Sequence, residues 1–209
     1  MHKTKSPLIV KFLTRHFLNW EIKTNKKVIY ITFDDGPIPE VTPKVIKILA
    51  QYKAKATFFC VGENALKYPE VLKMLKDDNH VIGNHTYNHL NGWKNNAKYY
   101  SDNISKAQDV LDSPFFRPPY GKINLKALIN LKKKYKIIMW SVLTGDYNQK
   151  VSSEDCLHNA LRFTKGGSIV VFHDSIKASK HLFYVLPKFL QFFSEKGFTF
   201  EVLNSDICV

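Results

Sequence analysis

The chain of 209 residues predicts an α/β fold, a parallel sheet covered by helices. Three observations carry this reading. Short apolar runs recur along the chain and lack the polar alternation of a half-solvated strand, so both faces of each are buried. Amphipathic stretches at helical spacing separate them. No repeat, low-complexity linker or shift in composition divides the sequence. It therefore reads as an N-terminal amphipathic helical segment, residues 1–24, followed by a single domain, residues 25–209.

The elements follow in order. Val28 to Phe33 is a strand. Thr42-Pro43 reads as an N-cap and a first-turn proline, opening a helix with Val45, Ile46, Leu49 and Tyr52 on one face. Ala56 to Val61 is the next strand, and Pro69 opens a helix carrying Val71, Leu72 and Leu75. His80 to Gly83 is a third strand. A longer helix over 97–111 aligns Tyr100, Ile104, Ala107 and Leu111. Phe115-Phe116 is a strand stub, Asn124 caps a helix through Tyr135, and Ile137 to Trp140 is the fifth strand. Ser152 caps a helix to Thr164 that Gly166-Gly167 end. Ser168 to Phe172, a helix over 182–196 and Phe198 to Val202 complete the chain. The resulting seven strands fit a barrel or an open doubly wound sheet, and periodicity does not decide between them. In either, functional residues lie where strands end and loops begin.

Composition narrows the class. With 44% hydrophobic and 13% aromatic residues the chain can bury a sizeable core, which excludes a disordered protein. The longest apolar run, Leu182 to Leu186, is far too short for a membrane span. Lys+Arg 31 against Asp+Glu 18 leaves a net charge of +13. The lysines are spread over helix faces, as in Lys132-Lys133-Lys134, so a solvated basic surface is expected and not a nucleic-acid site. Cys60, Cys156 and Cys208 form no CxxC pair and fit a reducing compartment. Lys11, Arg15 and His16 interrupt any secretory apolar core, so a cytoplasmic location, or the cytoplasmic membrane face, is expected. Leu8, Ile9, Phe12, Leu13 and Phe17 recur at helical spacing and are expected to pack on the domain, with weak membrane-surface contact as the alternative. A monomer is the default.

Five strand ends carry polar chemistry. Asp34-Asp35-Gly36 ends the first strand, and Asn84 to His89 follows the third. Arg117 to Gly121 follows the fourth, Asp146-Tyr147 comes shortly after the fifth, and His173-Asp174 ends the sixth. His85 and His89 stand four apart, which puts two imidazoles on one side of a turn; with a carboxylate they make a 2-His-1-carboxylate metal site. Adjacent Asp34 and Asp35 leave the backbone in different directions, so one can bind the ion while the other stays free as a base. The plain alternative is an Asp-Asp-Gly turn in which Gly36 supplies positive φ. Arg117 before two prolines is either a surface cation or a fixed guanidinium that orients a carboxylate. His173, with Asp146 as its partner carboxylate, can act as a general acid.

These motifs resemble the polysaccharide deacetylases of carbohydrate esterase family 4, the NodB-homology group. The resemblance spans Val28 to Leu203 through TFDDGP (32–37), NHTYNH (84–89), RPPYG (117–121) and VFHDS (171–175). It implies an irregular (β/α)7 barrel. It assigns Asp34 as base, held by Arg117, and His173 as acid, tuned by Asp146. Asp35, His85 and His89 become metal ligands, with zinc the default ion and cobalt or manganese possible. Pro118, Tyr120, Tyr147 and Val171 become substrate-binding positions, with the Tyr120 N–H facing the oxyanion. The implied activity is metal-dependent hydrolysis of N-acetyl groups from an amino-sugar glycan, with no nucleic-acid partner. The chain departs from the family where Leu143 replaces an Asp, Tyr147 a groove-wall Trp, and Val171 a pocket Leu. Two alternatives stay open: the same mechanism on O-acetyl esters or small cyclic amides, and a non-catalytic glycan-binding relative.

Overall fold

The structure is a computed structural model that describes residues 13–14 and 16–208. Its strands are β1 (Val28–Asp34), β2 (Thr57–Cys60), β3 (Val81–Asn84), β4 (Phe115–Phe116), β5 (Lys136–Ile137), β6 (Val142–Leu143), β7 (Ile169–His173) and β8 (Thr199–Phe200). The helices are α1 (Thr42–Gln51), α2 (Gly62–Lys67), α3 (Pro69–Asp77), α4 (Ala97–Leu111), α5 (Leu125–Leu131), α6 (Ser153–Phe163) and α7 (Ser179–Glu195). All strand pairs are parallel, in the order β5-β4-β3-β2-β1-β7-β6, and β8 pairs with the lower half of β1.

The end strands β5 and β6 are consecutive in the chain. Only residues 138–141 separate them. Five Cα–Cα steps span at most roughly 18 Å, so the sheet must curl until its edges approach. The seam is filled by an extended N-terminal segment. Asn19 N–H donates to Ile137 C=O at 2.9 Å, and Met139 N–H donates back to Asn19 C=O at 2.7 Å. Three residues on, Ile22 N–H donates to Gly167 C=O at 2.8 Å, tying the same segment to the start of β7. Of the expected N-terminal helical stripe, Leu8, Ile9 and Phe12 lie outside the described residues, and Leu13 and Phe17 are exposed and not packed on the domain; the segment is held instead by the buried Leu18, Trp20 and Ile22, which are not part of that stripe.

Strand alternation divides the core. The odd residues of β1, Ile29, Ile31 and Phe33, pack outward against Val45 and Leu49 of α1 and Val185, Leu186 and Phe189 of α7. The even residues Val28 and Tyr30 face the inside of the curl with Phe59, Phe115, Ile138 and Ile169. Each fully buried aliphatic or aromatic side chain contributes roughly 1.5–3 kcal/mol. Both faces of the central strands therefore need apolar residues, which is why they read as continuous runs.

Several elements differ from expectation. The run Ile137 to Trp140 is not one strand. Its backbone leaves the ladder after the Ile138 N–H, which still donates to Phe116 C=O; beyond it the carbonyls of Ile138 and Met139 accept from Arg117 and the Met139 N–H donates to Asn19 C=O. Pairing resumes at β6, on the opposite edge, giving eight strands among the described residues where seven are expected. Helix α2 is an addition; six residues are too few to show periodicity. Thr42 is not an N-cap. It lies inside α1, where its hydroxyl donates to Asp174 Oδ2 and accepts from the Ile38 N–H. The caps at Asn124 and Ser152 are formed, each side chain accepting from the backbone N–H three residues on.

Candidate active site

At the C-terminal ends of the strands the barrel interior changes character. The inward positions of β1 run Val28, Tyr30, Thr32, Asp34, from apolar to charged. The parallel register sets Asp34 beside His173 of β7 and Thr32 beside Val171, so the two ionisable groups emerge side by side into one cleft.

Behind Asp34 lies Arg117, wholly buried just past β4. Its Nη1 donates to Asp34 Oδ1 at 2.7 Å and to Thr32 Oγ1 at 2.8 Å. Nε donates to Ile138 C=O at 3.2 Å and Nη2 to Met139 C=O at 2.9 Å. The guanidinium carbon sits 4.0 Å from the Phe59 ring centroid. Burial lowers its pKa and the Asp34 carboxylate opposes that; a guanidinium stays charged at neutral pH regardless. The four donated bonds fix the fork, and the fork fixes Asp34.

His173 has its own partner. Its Nδ1 meets Asp146 Oδ1 at 2.8 Å, and its backbone N–H donates to the other oxygen at 2.8 Å. Burial opposes a charge on the ring, but the attraction and hydrogen bond of Asp146 outweigh it and raise the pKa to about 9. With Nδ1 committed to Asp146, Nε2 is the atom left for the cleft.

Across from this pair, Asp35, His85 and His89 offer one donor atom each within 4.8 Å of one another. Asp35 Oδ1 is 3.9 Å from His85 Nε2 and 3.3 Å from His89 Nε2. That oxygen is buried without a well-formed hydrogen bond, a costly state that a cation would relieve. Burial pushes the Asp35 carboxyl up, yet His89, His173 and His85 together hold it well below the ordinary range, so it is ionised. Burial lowers His85 to about 4, so its ring is neutral. Its Nδ1 lies 2.8 Å from Arg117 C=O, which can only accept, so Nδ1 carries the proton and the Nε2 lone pair faces Asp35. His89 Nδ1 is 3.1 Å from Tyr120 Oη. Two imidazole donors and one carboxylate fit a divalent metal ion.

The backbone is unusual around this cluster. Asp35, Thr86, His89 and Tyr120 have φ of 84°, 66°, 57° and 61°, a region that side chains rarely adopt and that concentrates at functional sites. Hydrogen bonds hold it in place: Asn64 Nδ2 donates to Asp35 C=O at 2.8 Å, and Leu90 N–H to Thr86 Oγ1 at 2.8 Å. Asp35, not Gly36, takes the positive φ in the Asp-Asp-Gly turn. Gly36 is needed for another reason: a Cβ there would lie 2.1 Å from Asp174 Oδ2. Asp174 is buried and accepts the Gly36 N–H at 3.0 Å; burial raises its carboxyl to about 7. It props the turn that carries Asp34 and Asp35.

The cleft encloses about 480 Å3. Pro118 and Tyr120 form one wall, and Leu143, Tyr147 and Val171 another. Tyr147 packs edge-on to His173 with centroids 4.9 Å apart. Every residue singled out from the sequence lies on this cleft or, for Arg117 and Asp146, one hydrogen bond behind it. Three others belong here. Thr32 and Asp174 brace the acids, and Trp140 lines the wall. Thr32 shares the parity of Asp34 along β1, a signal the sequence does carry. Asp174 also stands at a polar strand end, beside His173, although its bracing role is not legible there; Trp140 carries no such signal.

Comparison with known proteins agrees with this geometry. Residues 21–139 match the family model described as Polysaccharide deacetylase. A peptidoglycan-N-acetylglucosamine deacetylase of Bacillus cereus is 40% identical over 158 residues, 72% of this chain and 57% of that protein. The chain thus spans little more than half of that relative. A chitooligosaccharide deacetylase of Azorhizobium caulinodans is 36% identical over 73% of this chain and 76% of its own length. A solved peptidoglycan N-acetylglucosamine deacetylase superposes with a TM-score of 0.86 at 33% identity, covering 95% of both chains. With the parallel curled sheet, the two tuned ionisable pairs and the Asp-His-His cluster at its mouth, the chain belongs to the polysaccharide deacetylase family.

Proposed function

We propose that the cleft hydrolyses the N-acetyl group of an amino-sugar unit in a poly- or oligosaccharide, releasing acetate and a free amine. The observation that carries this is the pairing of Asp34 and His173 on adjacent strands, each with a dedicated charged partner, beside the Asp35, His85 and His89 cluster. Binding alone needs no such acid–base pair.

Asp35, His85 and His89 would hold a divalent ion; zinc suits two imidazoles and a carboxylate best, and cobalt or manganese would also fit. When bound, the ion supplies Lewis acidity, polarising the acetyl carbonyl and lowering the pKa of a water. Asp34, held by Arg117, takes the proton from the attacking water. The Tyr120 backbone N–H donates to the oxyanion as the carbonyl carbon becomes tetrahedral. His173 Nε2 then gives its proton to the amine nitrogen as the carbon–nitrogen bond breaks, and Asp146 stabilises the imidazolium that does so. Pro118, Tyr147 and Val171 bound the space for the sugar and its acetyl group.

The test is incubation with N-acetylglucosamine oligomers and zinc, followed by mass spectrometry. Stepwise loss of acetyl groups is expected, abolished by a chelator and restored by metal. His85→Ala should lose both the bound ion and the activity while remaining folded. Acetate release from acetylated xylan alone would shift the reading to ester hydrolysis. Full activity in the chelated protein would remove the metal from it.

A further inference from the structure

We infer that the outer face of α5, with the N-terminal segment beside it, docks on an anionic lipid surface.

Acidic residues are spread unevenly along the chain. Residues 1–20 hold Lys3, Lys5, Lys11 and Arg15 and no Asp or Glu. The longest stretch without an acid is 113–145, which holds Arg117 and six lysines. Far apart in sequence, the two stretches meet in the fold. Leu18 and Trp20 pack with Leu128 and Leu131 in one buried cluster. At the edge of that cluster the Lys132 ammonium lies 4.2 Å from the centroid of the Phe17 ring. Folding thus joins the end of one basic stretch to the end of α5 in the other.

The lysines gathered there do not neutralise acids of their own chain. Among the described residues, Lys126, Lys132, Lys133, Lys134 and Lys136 form no ion pair with a carboxylate. Asp109 and Asp112 share a groove with Lys134 yet pair with none of them. The last four of these lysines line, with His16 and Phe17, one concavity of about 420 Å3. Lys136 is the first residue of β5, so this concavity lies at the end of the barrel away from the cleft.

Charge alone would suit any polyanion. The side chains between the lysines choose a bilayer. Helix α5 turns Ala127, Leu128 and Leu131 to the core. At 3.6 residues per turn, Leu125, Lys126 and Ile129 fall on the side away from it, with Lys133 in the turn that follows. An amphipathic helix places polar groups on that side, yet Leu125 is 70% and Ile129 44% exposed. Leu13 and Phe17, also four residues apart, are exposed as well. A dissolved polyanion gains nothing from these aliphatic and aromatic groups. At a bilayer they enter the boundary of the acyl chains, while the lysine stems lie among the headgroups and their ammoniums reach the phosphates. No helix among the described residues is long and apolar enough to cross a membrane, so the contact is with its surface. None of these residues lines the cleft, and each can be changed without touching the acid–base pair.

The test is sedimentation of the full chain with vesicles at low and at high salt. Pure phosphatidylcholine should capture little of the protein, and phosphatidylcholine mixed with phosphatidylglycerol should capture most of it. Combining Lys126→Gln, Lys132→Gln and Lys133→Gln should weaken that binding by about fivefold per lysine. Leu125→Gln with Ile129→Gln should remove the part of the binding that survives high salt. All five side chains are exposed, so circular dichroism should report both variants folded as the wild type. Failure to bind the anionic vesicles, equal capture by the two kinds of vesicle, or full capture of the lysine variant overturns the inference. So does an aliphatic variant that binds like the wild type, because the face would then read charge alone.

Discussion

The two ends of the barrel interior are built by the same strands and do opposite work. At the lower end Val28 and Tyr30 meet Ile169, Phe115 and Leu203 in a closed apolar plug. Two residues further up the same strands Thr32, Asp34 and His173 stand around a buried guanidinium. The strand alternation is continuous through both, so the backbone alone does not separate filling from chemistry. What separates them is partnership. At the lower end a side chain needs only volume, whereas at the upper end each charge has a named donor or acceptor. The plug should govern stability with little effect on rate per folded molecule, and the upper tier should govern both.

Arg117→Met is the harshest test of that division. It leaves Asp34 buried without its cation and frees the carbonyls of Ile138 and Met139, where the chain crosses the seam. Breaking a buried pair costs about 3–5 kcal/mol, which corresponds to a fall in Tm on the order of 10 °C for a domain this size. Activity should vanish as well. Thermal unfolding and acetate release check the two effects separately, and an unchanged Tm would mean that Arg117 is not a structural post.

Next in size is Asp34→Asn. The amide keeps shape and the Arg117 contact but cannot take a proton. Loss of a positioned base lowers kcat by about 10²–10⁴. Metal content and Tm should stay near wild type. If kcat falls less than tenfold, the proton goes elsewhere.

Ile169→Ala probes the lower end. A fully buried isoleucine truncated to alanine costs about 2–5 kcal/mol, so the denaturant midpoint should drop clearly. The pH profile of the remaining folded enzyme should be unchanged. A shifted profile would show that the two ends are coupled.

The upper tier was more legible in the sequence than the frame around it. Asp34, Arg117 and His173 each stand at the end of an apolar run, His85 and Asp146 stand in the loops that follow one, and the family motifs chose between their functional and plain readings. The parallel sheet covered by helices followed from the alternation of runs and amphipathic stretches, and its closing into a barrel only from the family resemblance. The split of Ile137 to Trp140 into β5 and β6 did not, because pairing partners more than twenty residues away decide where a ladder stops. Thr42 carried the local signal of an N-cap, and Asp174, 132 residues on, took its hydroxyl. The role of Gly36 was also hidden: local φ preference pointed to the turn, while the constraint comes from the Asp174 carboxylate across the sheet. The closure of the seam by Asn19 to Ile22 rests mainly on backbone bonds to strands far away in the chain, helped by the Asn19 amide, and such pairing leaves no periodic pattern to read.

The central claim is that His173, charged through Asp146, delivers the proton to the amine. Its pKa rises from an ordinary 6.5 to about 9 in the folded protein. The charged pair therefore stabilises the fold fully below pH 6.5, and that contribution is lost as pH rises through about 9. Catalysis needs the same protonated form, so the rate should fall along an alkaline limb in the same window. The decisive measurement is kcat against pH, with zinc added, for the wild-type protein and for Asp146→Asn on an N-acetylglucosamine oligomer. We expect the alkaline limb of the variant to move down toward the ordinary histidine range, with metal still bound. An alkaline limb in the same place for both proteins would contradict the account, since the proton donor would then be a group that Asp146 does not touch.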